Sequence, residues 1–179
     1  VHIGRHMDAI VLELRGSAME LLDDVALVSV LGHELGHHLA HSEMRWHWPE
    51  RGRGGPRDDV RLRVSRELTA DRFGLLAEPS LAASLRAEMS LKSGLKSATA
   101  RLDVEAYRAW CTEWVEGRLA RGLPLVGSTH PEHAVRSYAM SLFAETDLFL
   151  DLTGTGPATR SIADVNAVLL IQAGTMSGG

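Results

Sequence analysis

The chain has 179 residues, a formal net charge of -4, 45% hydrophobic residues and 23% charged residues. These fractions are typical of a globular protein and exclude wholesale disorder or a collagen-like fibre. The acidic balance argues against a nucleic-acid partner, and the single cysteine, Cys111, excludes an internal disulfide bond. No apolar run approaches the roughly 20 residues that cross a bilayer. We therefore predict one domain over residues 1–179 without a transmembrane segment, and its oligomeric state is left open.

The first part of the chain predicts a strand followed by two helices. Residues 9–14 are rich in branched apolar side chains, which favours a strand. Residues 17–22 predict a short helix and residues 24–41 a longer one, each preceded by a residue that can cap it. Leucines at four-residue steps on the longer helix predict the face that packs into the core, namely Leu27, Leu31 and Leu35.

Helical periodicity continues through the rest of the chain. A loop rich in glycine, proline and arginine, residues 46–56, follows the second helix. Further helices are predicted over residues 58–77, 81–95, 103–121, 129–144 and 162–172. We therefore expect a mainly helical fold with a small sheet near its start.

Histidine is concentrated in one place, because five of the nine histidines lie between His33 and His47. Two of them belong to an H-E-x-x-H motif, which runs from His33 to His37. Residues four apart on a helix share a face, so the two imidazoles can bind one zinc ion. Glu34 lies one step round the helix and can activate a water at an open coordination position as general base. Gly36 leaves room for another element to approach.

A catalytic zinc ion usually has three protein ligands, so the motif requires a third one. His41 continues the four-residue ladder but lies about 12 Å along the helix axis from His33, too far to share one ion with both histidines. Glu43 occupies the position at which the metzincin pattern has a histidine, although Ala40 stands where that pattern has a glycine. Glu67 is the strongest of the three candidates.

Glu67 and Asp71 fall on the apolar stripe of the helix predicted over residues 58–77. Carboxylates on an inward stripe are costly to bury unless they are paired or bound to a metal. Glu67 as a ligand, and Asp71 as the hydrogen-bond partner of a ligating imidazole, would remove this cost. The alternative is that Arg66, Arg72 or another arginine pairs with them at the surface.

Three motifs follow one another along the chain: His33-Glu34-Leu35-Gly36-His37, Glu67-Leu68-Thr69-Ala70-Asp71-Arg72-Phe73-Gly74, and Thr129-His130-Pro131 with Arg136 beyond it. In this order they resemble the HtpX and CAAX prenyl protease type of zinc metallopeptidase. These enzymes are gluzincins, in which glutamate is the third ligand. The resemblance covers residues 10–140. The chain is most similar to the compact minigluzincins, because it lacks the transmembrane helices of the membrane members.

The resemblance implies a role for each residue of the first two motifs. His33, His37 and Glu67 would bind one catalytic Zn2+. Glu34 would be the catalytic base, and Asp71 would orient a ligating histidine.

The third motif and the N-terminal strand supply the remaining candidates. By the same resemblance, His130 would stabilise the oxyanion and Arg136 would support the site. His130-Pro131 can also simply begin a helix. We expect the substrate to lie extended along the edge of the N-terminal sheet, at Ala9, Ile10, Val11 and Leu12.

The expected fold is therefore α+β and mainly helical, with a small N-terminal β-sheet packed on a zincin helical core that contains the H-E-x-x-H active-site helix. The expected function is that of a zinc-dependent endopeptidase, which hydrolyses peptide bonds through a metal-bound water activated by Glu34. Its partner would be a peptide or protein substrate. Two alternatives stay open: a protease-derived zinc-binding module without catalysis, and a latent peptidase that needs activation or belongs to a longer protein. The absence of a secretion signal and the single thiol favour the cytoplasm.

Overall fold

This computed structural model describes residues 2–6, 9–13, 16–47, 56–96, 101–123, 125 and 133–174, and these residues are mainly helical. The chain divides into two compact units. The first comprises Val1–Trp46 and Thr69–Val104, and the second comprises His47–Leu68 and Glu105–Gly179. The division between Leu68 and Thr69 falls in the middle of the helix Pro56–Ala77, which contributes residues to both units. The single domain stays a prediction.

The first unit begins with an antiparallel β-hairpin. Strand β1 spans His2–His6 and strand β2 spans Ala9–Glu13, in a register that places Gly4 opposite Val11. The strand predicted over residues 9–14 is confirmed. Strand β1 was not predicted, because its histidines, glycine and arginine are weak strand formers and only pairing with β2 makes it a strand. The packing of this hairpin on a zincin core stays a prediction.

Four helices contribute to the first unit. They are α1 (Gly16–Leu21), α2 (Asp24–His47), the second half of α3 (Pro56–Ala77) and α4 (Leu81–Ser93). Helix α2 ends at residue 47 rather than at the predicted residue 41, because residues 42–47 contain no glycine or proline.

Small side chains dominate the core of the first unit. Its cluster of buried residues is Ala18, Leu22, Ala26, Val30 and Ala87. The leucine stripe predicted to face the core is confirmed only at its start, since Leu27 packs against this cluster whereas Leu35 is 44% exposed. Helix α2 instead buries its small residues, among them Ser29, Gly32 and Gly36. The hydroxyl of Ser29 forms a buried hydrogen bond of 2.9 Å with that of Ser84 on α4. Close packing of backbone therefore decides which face of α2 is buried.

The second unit contains α5 (Val104–Ala120), α6 (His133–Phe143), α7 (Asp147–Thr153) and α8 (Ile162–Gly174), with the first half of α3. Helices α5 and α8 were predicted to within two residues at each end. The predicted start of α6, residues 129–132, lies outside the described residues. Within the described ranges, no helix is both long and apolar enough to cross a bilayer.

Helix α7 was not predicted, although two local signals bound it. The backbone N–H of Phe149 donates to Oγ1 of Thr146 at 3.3 Å, which caps the first turn. Gly154 ends the helix in the left-handed conformation, with a φ of 69°. The carboxylate of Asp147 accepts a hydrogen bond of 2.8 Å from the backbone N–H of Ile162 and so joins the start of α7 to the start of α8.

The core of the second unit lies among helices α5, α6 and α8. Its buried residues are Val115, Leu125, Val135, Tyr138, Ala139, Leu142, Val165 and Leu169. Leu68 of α3 packs against this cluster, as its place on the predicted apolar stripe indicated. Cys111 on α5 is fully buried.

Candidate metal centre

Helices α2 and α3 bring three ligand groups together. One ligand atom each of His33, His37 and Glu67 lies within 4.8 Å of the other two, and all three residues are half-buried. Ligand atoms around a tetrahedral zinc ion are about 3.4 Å apart when the bonds are about 2.1 Å long, so small side-chain rotations can close this group on an ion. The three residues that the sequence predicts as ligands can therefore hold a metal ion.

Helix α2 positions both histidines. The carboxylate of Asp23 accepts a hydrogen bond of 2.8 Å from the backbone N–H of Ala26, which caps the first turn of the helix. The four-residue spacing places His33 and His37 on one face. Their ring centroids are 4.6 Å apart and the rings are nearly perpendicular, at 87°. Two nitrogen ligands are thus presented from a single continuous helix.

Asp71 forms a hydrogen bond with the first of these histidines. Its Oδ1 atom lies 2.9 Å from Nδ1 of His33, and only 5% of the residue is exposed. An ionised carboxylate only accepts hydrogen bonds, so the Nδ1–H group of His33 donates a hydrogen bond to Asp71. This tautomer leaves Nε2 as the nitrogen that can bind a metal ion. The arrangement is the carboxylate–histidine pair that commonly supports a metal ligand.

The burial of Asp71 bears on the alternative, raised by the sequence, that an arginine pairs with Glu67 and Asp71 at the surface. A residue that is only 5% exposed is not a surface carboxylate, so pairing with an arginine in solvent does not describe Asp71. Burial lowers the pKa of the neighbouring Arg72 guanidinium through loss of hydration. Arginine nevertheless stays protonated at physiological pH. Arg72, which directly follows Asp71 in the chain, therefore keeps its positive charge.

Glu34 lies on α2 next to His33 and is half-buried. It does not belong to the group of three converging ligand atoms, which comes from His33, His37 and Glu67. Its carboxylate is therefore not needed to complete that group. The predicted role of Glu34 as a general base stays a prediction.

Glycines set the approach of α2 to α3. A Cβ atom added to Gly36 would lie 2.7 Å from Cβ of Phe73, so the room that Gly36 was predicted to leave is filled by α3. Sequence reasoning did not assign a role to Gly32 or Gly74, which are equally crowded. The available signal was the four-residue spacing of Gly32 and Gly36, which puts both on one helical face.

For several other predicted residues, a role at this site stays a prediction. Arg136 is half-buried on α6 in the second unit, and its supporting role stays a prediction. His130 lies outside the described residues, as do the side chains of His41 and Glu43. The proposed substrate-binding positions Ala9, Ile10, Val11 and Leu12 all lie on β2, and their role stays a prediction.

We expect Asp71→Asn to weaken metal binding. Asparagine keeps the shape of the side chain but loses the charge that holds the His33 tautomer, and such changes typically cost about 10- to 100-fold in metal affinity. Titration with Zn2+ against a chromophoric chelator measures the effect. Asp151→Asn, at an exposed position on α7, is the matched control and should bind as tightly as the wild type. Equal affinities for both variants would contradict the role assigned to Asp71.

Comparison with known proteins gave no match to a protein-family model, to a curated protein or to a solved structure. The function must therefore be argued from the geometry of the metal centre and from the sequence motifs.

Proposed function

We propose that the protein is a zinc-dependent endopeptidase of the gluzincin type. The observation that carries this proposal is the convergence of His33, His37 and Glu67 within 4.8 Å, with His33 held by Asp71 at 2.9 Å. The resemblance of the three sequence motifs to gluzincins also supports it.

The donor set favours zinc over other metal ions. Two imidazole nitrogens with one carboxylate are a common set for catalytic zinc, whereas magnesium and calcium prefer oxygen ligands alone. Two neutral imidazoles and one carboxylate would leave a divalent ion with a net charge of about +1. That residual charge suits a site at which negative charge develops on a carbonyl oxygen.

The exposure of the ligands supports a catalytic rather than a purely structural site. All three ligand residues are half-buried, so solvent reaches the group. A structural zinc ion is normally enclosed by four protein ligands, whereas a catalytic one keeps a position for water or substrate. Among the residues that the structure describes, three protein ligands with access for solvent correspond to the second arrangement.

In the proposed hydrolysis, the chain's own residues have separate roles. When bound, zinc supplies a positive charge that makes a water molecule more acidic and polarises a carbonyl group. Glu34 accepts a proton from the attacking water and passes it to the departing amine. Asp71 keeps His33 in the tautomer that presents Nε2. His130, by its resemblance to the third family motif, donates a hydrogen bond to the oxyanion.

An extended peptide is the substrate that the chain can accommodate by backbone pairing. Among the described residues, β2 pairs along one edge with β1, so its other edge offers backbone N–H and C=O groups. Addition of a peptide strand to such an edge is a general mode of peptide recognition. This mode binds the middle of a chain as well as an end, which is why we propose an endopeptidase.

A diverse peptide mixture, analysed by mass spectrometry, tests the proposed function. We expect the zinc-loaded protein to cut internal peptide bonds, the EDTA-stripped protein to be inactive, and restored Zn2+ to return the activity. Protein that binds zinc but cuts no peptide, before or after limited proteolysis, would contradict the peptidase and favour a zinc-binding module. Cleavage that appears only after limited proteolysis would identify a latent enzyme.

A further inference from the structure

Glycines on α2 and on the second half of α3 let the two helices approach closely. An added Cβ on Gly32 would lie 2.5 Å from Cβ of Ala77 and 2.9 Å from the carbonyl oxygen of Phe73. An added Cβ on Gly74 would lie 2.7 Å from the carbonyl oxygen of Ser29. Non-bonded carbon atoms normally approach to about 3.5–4.0 Å, so a single methyl group at these positions requires the two helices to separate by about 1 Å.

Gly36 lies between the two histidines of the metal centre in the sequence of α2. A Cβ there would lie 2.7 Å from Cβ of Phe73 and 3.0 Å from Cα of Ala70. Ala70 directly precedes Asp71 and follows Glu67 by three residues on the same helix. A displacement of α3 at Ala70 therefore also moves the carboxylates of Glu67 and Asp71.

The two sides of the metal centre respond differently to such a displacement. His33 and His37 share α2, so their mutual spacing does not depend on the distance between the helices. Glu67 and Asp71 both belong to α3 and move with it. Metal–ligand distances tolerate about 0.2 Å, which is small beside the displacement of about 1 Å that one methyl group would impose.

We propose that Gly32, Gly36 and Gly74 are positioning residues of the metal centre, which fix the distance between the histidines of α2 and the carboxylates of α3. Without this close approach, the site would keep two nitrogen donors and lose both its third ligand and the partner of His33. This inference rests on the metal site of the proposed function but not on peptide hydrolysis.

Two alanine variants test the proposal in the full-length protein. We expect Gly36→Ala to lower the affinity for Zn2+ by at least about 10-fold, in the range found when the support of a ligand is lost. Bound Co2+ should also change its visible absorption, because loss of Glu67 would let water raise the coordination number. Gly32→Ala should act in the same direction, and circular dichroism establishes that each variant is folded.

A compensating substitution separates spacing from general destabilisation. Ala77→Gly removes the atom nearest to the added methyl group of Gly32→Ala, although glycine is a poorer helix former than alanine. We expect Gly32→Ala/Ala77→Gly to bind Zn2+ at least about threefold more tightly than Gly32→Ala, because the shortest contact is removed and only the contact of 2.9 Å with the carbonyl oxygen of Phe73 is left below 3.0 Å. The comparison of Gly32→Ala with the double variant also tests the proposal if Gly36→Ala does not fold.

Two control variants complete the experiment. Gly117→Ala on α5 meets no atom closer than 3.8 Å and should leave Zn2+ affinity unchanged. Leu85→Ala on α4 opens a cavity at a fully buried position, and so lowers stability without forcing α2 and α3 apart. It should retain the wild-type affinity and Co2+ spectrum while folded.

Three outcomes would overturn the proposal: an affinity of folded Gly36→Ala within about twofold of the wild type, an equal loss in Leu85→Ala, or no recovery in the double variant. All measurements use the metal alone. A wild-type protein that binds zinc but cuts no peptide would therefore remove the proposed function and leave this inference standing. A wild-type protein that binds no zinc would remove both.

Discussion

Glu34→Gln should lower the rate of peptide cleavage severely while zinc stays bound. Glutamine has nearly the same shape as glutamate but cannot accept the proton of the attacking water. General acid–base catalysis contributes about 10²- to 10⁴-fold to rate, so we expect a loss of that order in the cleavage rate. Initial rates on a peptide cut by the wild type, measured by mass spectrometry, determine the effect. Zinc affinity should stay within about twofold, since Glu34 is not one of the three converging ligands.

The control for this substitution is Glu20→Gln, at an exposed position on α1. It makes the same chemical change away from the metal ligands and should leave both the rate and the zinc affinity unaltered. Full activity in Glu34→Gln would refute the proposed mechanism. Loss of zinc together with activity would instead identify Glu34 as a ligand.

Glu67→Ala should lower the affinity for Zn2+ by at least about 100-fold, beyond the range typical of residues that only support a ligand. The substitution removes the single carboxylate of the converging group and leaves two imidazoles on one helix. Two nitrogen ligands do not complete the three that catalytic zinc usually takes from protein. The peptidase activity should fall with zinc occupancy and should recover in part at high Zn2+ concentration.

Glu116→Ala, at an exposed position on α5, is the matched control and should retain the affinity of the wild type. The experiment also decides between the third ligands that the sequence left open. If Glu67→Ala binds zinc normally while Glu43→Ala or His41→Ala does not, the ligand set assigned from α2 and α3 is wrong. If none of the three matters, the carboxylate of Glu67 serves only in ion pairing.

Much of the candidate site could be predicted because its two histidines lie close together in the sequence. The spacing of His33 and His37 fixes their common face as soon as residues 24–41 are recognised as a helix. The chemical argument for Glu67 and Asp71 also needed no tertiary structure, since an inward stripe with two carboxylates demands a partner. The structure then brings Glu67 to the histidines and Asp71 to His33.

Other predictions failed where local pattern and tertiary packing disagree. The leucine stripe on α2 has the period of a core face, yet Leu35 is 44% exposed and Gly36 is buried. Hydrophobic periodicity favours the face with the largest side chains, whereas α2 buries the face that allows the closest approach of backbone. Strand β1 was missed for a related reason, because its pairing with β2, and not its composition, makes it a strand.

The sequence by itself determined which residues are chemically able to form a zinc site and that they lie on helices, because helix periodicity and donor chemistry act over a few residues. Only the tertiary structure decided that Asp71 is buried against Nδ1 of His33, from which it is 38 residues distant in sequence. It also decided that glycines rather than leucines face α3. Both outcomes depend on how closely two helices approach. That distance is set by the volumes of the side chains on both helices, so the sequence of one helix alone does not determine it.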